Sequence, residues 1–184
     1  EEMSTTNSCV FIDTANINAS FRKIKSKLGL SDKIKLDFDN LIKIITVGSN
    51  LVSKSIYVES RSSDDGSRKF IDFLKHRGFN VITKEIKVIS LDNGDKKNKA
   101  NFDAEIAYDI CQSVWKRECN KVFLFSGDSD FAYVTRQIKN LGITVVVISS
   151  KNSLSRELLE LADNVVYLED LLTNEHNITF SKQS

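Results

Sequence analysis

Residues 122–130 read Val122-Phe123-Leu124-Phe125-Ser126-Gly127-Asp128-Ser129-Asp130. Four apolar residues in succession, with no polar alternation, describe a strand covered on both faces. The run stops at a glycine and two carboxylates. From Phe131 to Leu141 the apolar residues return at helical spacing, ending at Gly142. Buried strand, tight acidic turn and helix together are one unit of a parallel sheet.

The same rhythm extends in both directions. Cys9-Val10-Phe11-Ile12, Ile56-Tyr57-Val58, Val81-Ile82 and Val145-Val146-Val147-Ile148 are short apolar runs that predict strands. Between them, helical spacing covers Asn16 to about Leu28, Phe38 to Val47, Ser67 to His76 and Asp103 to Arg117. Leu154 to Leu161 and Asp170 to Leu172 are the last helical pieces. Residues 86–99 read as a hairpin or loop turning at Asp92-Asn93-Gly94-Asp95, where Asn-Gly is a hairpin signal. Strands alternating with helices predict an α/β fold, a mainly parallel sheet with helices on both faces. There is no proline, no Gly/Ser-rich linker and no repeat. A single domain over residues 8–173 is expected, with polar, flexible ends at 1–7 and 174–184.

Composition narrows the function classes. The 184 residues are 41% hydrophobic and 28% charged, with net charge +1 from 26 basic and 25 acidic residues. That fits a globular chain and leaves room for a local basic face. No apolar run approaches the ~18 residues of a membrane span. The polar opening Glu1-Glu2-Met3-Ser4 does not read as a signal peptide, and a cytoplasmic location is expected. Cys9, Cys111 and Cys119 form no CxxC pair, and His76 and His176 are isolated. A structural zinc site and a disulfide framework are therefore not expected; buried reduced thiols are.

In parallel sheets, ligands bind beyond the carboxyl ends of the strands, where the winding reverses. The first strand ends Ile12-Asp13-Thr14-Ala15-Asn16 and the fourth ends in the Gly-Asp-Ser-Asp loop. If these strands are neighbours, Asp13 and Asp128 emerge side by side. Asp103 opens the helix before the fourth strand, just after Lys96-Lys97-Asn98-Lys99. Converging carboxylates repel one another and persist where a divalent cation neutralises them. Oxygen ligands suit Mg²⁺ or Mn²⁺, and the chemistry such a site suits is phosphodiester hydrolysis. Asp13, Asp103 and Asp128 are the expected metal ligands, with Asp130 and Asn16 as further catalytic-site candidates. Each has a plainer reading: Asp13 as a turn former, and Asp103, Asp128, Asp130 and Asn16 as helix caps. Lys96, Lys97, Lys99 and Arg136, with Arg61 and Arg68, are candidate phosphate contacts. Arg22-Lys23-Ile24-Lys25-Ser26-Lys27 reads as the wet face of the first helix. Tyr108, Trp115 and Tyr133 read as core residues.

Val10-Phe11-Ile12-Asp13-Thr14-Ala15-Asn16-Ile17 resembles the opening motif of the NYN nuclease domains, in particular the LabA-like branch of the PIN-like superfamily. Phe125-Ser126-Gly127-Asp128-Ser129-Asp130-Phe131 is similar to that family's most specific motif. Lys99-Ala100-Asn101-Phe102-Asp103 with Ala107-Tyr108-Asp109 resembles its central Lys-x-x-x-Asp segment. The Leu141-Gly142 turn, the strand after it, Ser153-Leu154 and Leu161-Ala162-Asp163 fit as well, so the resemblance spans about residues 8–173. It implies a three-layer PIN-like, Rossmann-like fold with five or six strands in the order 3-2-1-4-5. It also implies a Mg²⁺- or Mn²⁺-dependent ribonuclease in which Asp13, Asp103 and Asp128 bind metal, Asp130 is a fourth acid and Asn16 positions the site. The implied partner is RNA, single-stranded or structured; a homodimer is compatible and a membrane partner is not expected. Asp109 matches a frequent acid of the family, but it follows Asp103 by six residues, about 240° round a helix, and cannot face the same metal. Thr14 departs from the family, where glycine is commoner.

Two other classes fit parts of the pattern. A haloacid-dehalogenase type phosphatase also has an Asp after its first strand and a Gly-Asp loop, but needs a second acid where this chain has Ala15. A non-catalytic nucleic-acid-binding or regulatory module could keep the fold and some of the acids.

Overall fold

Strand β1 (Asn7–Asp13) is buried from Ser8 to Asp13, which only a central strand covered on both faces can be. In the computed structural model, which describes residues 6–60, 64–90, 96–99, 101–173 and 178–181, every other element is arranged around it. After β1 come α1 (Thr14–Leu28), β2 (Ile34–Leu36), α2 (Phe38–Ile45), β3 (Asn50–Ser60), α3 (Asp65–His76) and β4 (Asn80–Glu85). A small antiparallel pair follows, β5 (Lys87–Ser90) with β6 (Lys96–Lys99). Then come α4 (Asp103–Trp115), β7 (Lys121–Phe125), a 3₁₀ turn (Ser129–Phe131), α5 (Ala132–Asn140) and β8 (Thr144–Ser149). The chain continues through α6 (Arg156–Leu161), β9 (Asn164–Tyr167), α7 (Leu168–Thr173) and β10 (Thr179–Ser181).

The main sheet has six strands in the order β4-β3-β1-β7-β8-β9, and every pairing is parallel. Counted along the chain this is the expected 3-2-1-4-5, extended by a sixth strand. The winding reverses between β1 and β7, where Ile12 pairs with Phe125. On the other side Asp13 pairs with Tyr57 of β3.

Alternation along the strands splits the core in two. Val10, Ile12, Ile56, Val58, Phe123, Phe125, Val146 and Ile148 face α1, α2, α3 and α7. Cys9, Phe11, Tyr57, Val122, Leu124, Val145 and Val147 face α4, α5 and α6. By that period of two, Asp13 and Ser126 belong to the α4–α5 side, which decides where the polar ends of β1 and β7 project.

The structure departs from the sequence reading in several places. Tyr108, Trp115 and Tyr133, expected in the core, are 60%, 71% and 71% exposed. The inner stripe of α4 is Ile106, Ile110 and Val114, and the two α4 aromatics lie on its far side. Lys25 is not on a wet face. It is buried, its ammonium donating to the carbonyls of Asp32 and Ile34, while Arg22, Lys23 and Lys27 are exposed. The tail expected to be loose is tied down in part: Ile178 is buried and β10 pairs antiparallel with β2. β2, β9 and β10, of three or four residues each, carry too few alternating positions to stand out from the sequence. The expected hairpin is present as β5–β6, and its turn at 91–95 lies outside the described residues. No helix among the described residues is long and apolar enough to cross a membrane.

Candidate metal centre

Asp13 ends β1 and immediately caps α1. Its Oδ1 accepts from the backbone N–H of Asn16 at 3.1 Å, satisfying one of the helix's open donors. Its Oδ2 accepts from Ser126 Oγ at 3.2 Å, across the switch point between β1 and β7. Thr14 donates its hydroxyl to the carbonyl of Tyr57 and so ties the start of α1 to the end of β3. This gives the threonine at a usual glycine position a structural task.

The Gly127 loop is held from the same side. Asn16 Oδ1 accepts from the Gly127 N–H at 3.0 Å, so its side chain holds the loop while its backbone N–H serves Asp13. Asp128 caps the 3₁₀ turn through Oδ1, which accepts from the Asp130 N–H at 3.0 Å. Only glycine fits at 127. A Cβ there would lie 2.2 Å from the carbonyl oxygen of Ser153 and 2.5 Å from Ser149 Oγ. Ser149 Oγ is buried and has no hydrogen-bond partner among the described residues.

Asp103 enters from the other direction. Its backbone N–H donates to Asn101 Oδ1 at 2.7 Å. Lys84, at the end of β4, donates to the Asn101 carbonyl at 2.7 Å, pairs with Glu105 at 2.6 Å and lies 5.4 Å from the centre of the Phe102 ring. One ammonium therefore fixes the segment that carries Asp103. Sequence reading missed Lys84, because a lysine at the end of an amphipathic strand carries no distinguishing signal.

Asp103, Asp128 and Asp130 each offer a carboxylate oxygen, and these atoms lie within 4.8 Å of one another. Asp103 and Asp128 are half-buried and Asp130 is exposed. Repulsion at such separations is only partly screened by salt and water. Burial holds the Asp103 carboxyl above its ordinary range, and the Asp128 and Asp130 charges add to that. Burial does the same to Asp13, reinforced by Asp103 and Asp128, against the hydrogen bonds from Asn16 and Ser126. Asp13 thus feels the Asp103 and Asp128 charges and is more deeply buried than either. The closest trio is Asp103, Asp128 and Asp130, whereas the sequence pointed to Asp13, Asp103 and Asp128.

The remaining candidates divide. Asp109 accepts from the buried Tyr57 hydroxyl at 2.7 Å, facing β3 and away from the trio. Arg136 is exposed on α5. Arg68 pairs with Asp65 at 2.9 Å. Arg61 and the side chains of Lys96, Lys97 and Lys99 lie outside the described residues.

With this geometry in view, the family model of the NYN domain matches residues 7–169. The chain belongs to the NYN domain family. This is a nuclease-type family. The NYN domain is 30% identical over 123 residues to the Low amplitude and bright protein LabA of Synechococcus elongatus, covering 66% of this chain and 64% of that protein. An uncharacterized protein of Methanocaldococcus jannaschii is 23% identical over 137 residues, covering 74% of this chain and 50% of its own length. The match thus spans between half and about two thirds of these relatives. A Vibrio parahaemolyticus protein of unknown function shares the fold, with a TM-score of 0.70 at 23% identity, over 92% of this chain and 97% of that one.

Proposed function

We propose that this NYN domain hydrolyses RNA phosphodiester bonds at the acid cluster, with Mg²⁺ or Mn²⁺ as cofactor. The observation that carries the reading is the convergence of Asp103, Asp128 and Asp130 within 4.8 Å, with Asp13 near enough to feel the charges of Asp103 and Asp128. Carboxylates brought this close, with no ion pair to a basic side chain among the described residues, fit a hard divalent cation, and the donor set is oxygen only. Asp103, Asp128 and Asp130 would hold it, with Asp13 in a neighbouring or direct role. When bound, such a cation lowers the pKa of water and offsets charge on a phosphoryl oxygen.

The rest of the site serves to keep the acids in place. Asn16 fixes the Gly127 amide, Ser126 bridges Asp13 to the loop, and Lys84 with Asn101 sets the entry of α4. These are positioning residues. RNA is favoured as substrate by membership of this nuclease-type family and by the likeness to the LabA-like branch.

The direct test is cleavage of a labelled RNA by the purified chain in Mn²⁺, with and without chelator. Cleavage that stops with chelator is expected. Asp128→Asn should lower the rate by on the order of 10²-fold or more while the protein stays folded by circular dichroism. RNA that is bound but never cut, under any divalent cation, would sink the enzymatic reading.

A further inference from the structure

Three of the chain's five Tyr and Trp side chains stand out in solvent: Tyr108 at 60%, Trp115 at 71% and Tyr133 at 71% exposure. All three lie on α4 and α5, the two helices that begin at the acid cluster. The others are placed differently, Tyr57 in the core and Tyr167 half-buried beside the Lys151 ammonium.

Their phase is consistent. On α4, Ile106, Ile110 and Val114 face the sheet. At 100° per residue, Tyr108 and Trp115 both fall about 180–200° from Ile106, on one outer stripe. Gln112 Nε2 donates to the Tyr108 hydroxyl at 3.2 Å, between the two rings along that stripe. On α5, Tyr133 sits in the first turn, three residues after Asp130 and on the flank of the stripe that buries Val134 and Ile138. The distance along α4 from Asp103 to Trp115 is on the order of 18 Å.

The charges around these rings suit a polyanion. Past Asp103, the acids of α4 are Glu105 and Asp109, and both are engaged elsewhere, with Lys84 and with the Tyr57 hydroxyl. α5 has no acid. Arg136, Lys116 and Arg117 are exposed on or just beyond the same helices, while Glu118, which follows them, is half-buried with its charge felt by Cys9 and Cys119. The face that leads away from the carboxylates is therefore aromatic and cationic.

We propose that the outer face of α4 and α5 is the track on which single-stranded RNA lies as it leaves the acid cluster, its bases stacked on Tyr133, Tyr108 and Trp115. The proposal rests on the nuclease reading for the position of the scissile phosphate. Stacking selects single strands because a duplex hides its base faces, and it tolerates sequence because every base has one. Arg136 meets the phosphates beside Tyr133.

Trp115 is the chain's only tryptophan, so its emission reports on this face. The intact chain is titrated in chelator with an oligouridylate of about fifteen nucleotides, and with duplex RNA of the same length. The single strand should quench Trp115 and the duplex should not. Tyr133→Ala and Tyr108→Ala should each weaken binding about 5- to 150-fold, with the Phe variants close to wild type. Arg136→Ala should reduce the salt dependence of binding by about one counterion, which the tyrosine variants leave unchanged. Quenching without Mn²⁺-dependent cleavage would support the track and remove the nuclease reading. Cleavage that persists with no quenching, and with alanine variants at wild-type affinity, would overturn the track and leave the nuclease. Emission that follows protein concentration, with a dimer in sedimentation, would also overturn it by giving the face to a second copy of the chain.

Discussion

The two ends of the sheet are built on opposite terms. At the amino end, strand starts are knitted by neutral hydrogen bonds: Asn50 Nδ2 donates to Asn7 Oδ1 at 2.9 Å, and the Asn120 and Thr144 amides donate to the carbonyls of Asn7 and Asn120. A cavity of about 530 Å³ opens there, lined by Val114, Trp115, Leu141 and Ile143 among others. At the carboxyl end Asp13, Asp103, Asp128 and Asp130 converge, two of them held above their ordinary pKa, and one buried hydroxyl, Ser149 Oγ, has no partner among the described residues. Volume and chemistry therefore part company. That hollow is at the amino end, and the acid cluster is at the other, where like charges converge. A site under electrostatic tension is the better guide to function, because folding alone gives no reason to assemble it.

The largest effect should follow from crowding the tense end. Gly127→Ala sets a methyl 2.2 Å from the Ser153 carbonyl oxygen, so the loop carrying Asp128 has to move. Overpacking of this kind costs roughly 1–3 kcal/mol in stability. Displacement of Asp128 should also lower cleavage by about 10²-fold, since small misplacements of a reacting group are that costly. Urea denaturation and single-turnover cleavage check both. An alanine variant with wild-type activity would mean the loop is not held as described.

The second effect is metal linkage. If the trio binds Mn²⁺, the cation stabilises the folded state by about 2.7 kcal/mol at a hundredfold excess over Kd. That corresponds to a rise in Tm of roughly 5–10 °C for a chain of this size. The rise should vanish in Asp128→Asn and survive in Asn50→Ala, at the opposite end of the sheet. Equal shifts in the two variants would show that the cation acts elsewhere.

Part of this contrast is legible in the sequence. The apolar runs of β1, β7 and β8 are long enough, and sharply enough ended, to announce a parallel sheet, and Asp13 and Asp128 follow from where those runs stop. The identity of the tightest trio did not follow. Asp13 spends one oxygen on the Asn16 amide and the other on the Ser126 hydroxyl, an outcome set by side-chain geometry across 113 residues of sequence. Apolar spacing alone puts Tyr108, Trp115 and Tyr133 in the core, because it treats an aromatic inside a helical pattern as apolar whatever its phase. Against Ile106, Ile110 and Val114 the two α4 rings are on the wrong side for the core. Lys84 was invisible because its partners are a backbone carbonyl and an acid on another element.

A smaller effect tests that hidden lysine. Lys84→Ala removes the tie to the Asn101 carbonyl and to Glu105, freeing the entry of α4. Loss of such a supporting contact should cost about 10- to 100-fold in metal affinity or rate. Titration of the Mn²⁺-induced Tm shift separates this from general unfolding: the apparent Kd should rise while Tm without metal changes little. Lys84→Arg should recover part of the loss. An unchanged Kd would leave Lys84 as a surface ion pair.

The smallest effect concerns the metal-free protein and compares the two ends through pH. Burial, with the Asp128 and Asp130 charges, raises the Asp103 pKa above its ordinary 3.8. The folded state then binds that proton more tightly than the unfolded state does, so metal-free stability falls as pH rises from the ordinary value through the raised one. Above both values the full penalty is present; below both it is gone. Asp103→Asn removes the charge and its penalty, so its Tm without metal should exceed wild type at neutral pH, and the gap should close as the solution is acidified below the ordinary range. Asn50→Ala, among neutral partners, should show a small and pH-independent change, since surface substitutions away from special features usually stay within about 0.5 kcal/mol. A variant that is less stable than wild type at neutral pH would show that the Asp103 charge, in the first turn of α4, serves the fold more than it strains it. The comparison between the two ends of the sheet would then lose its electrostatic basis.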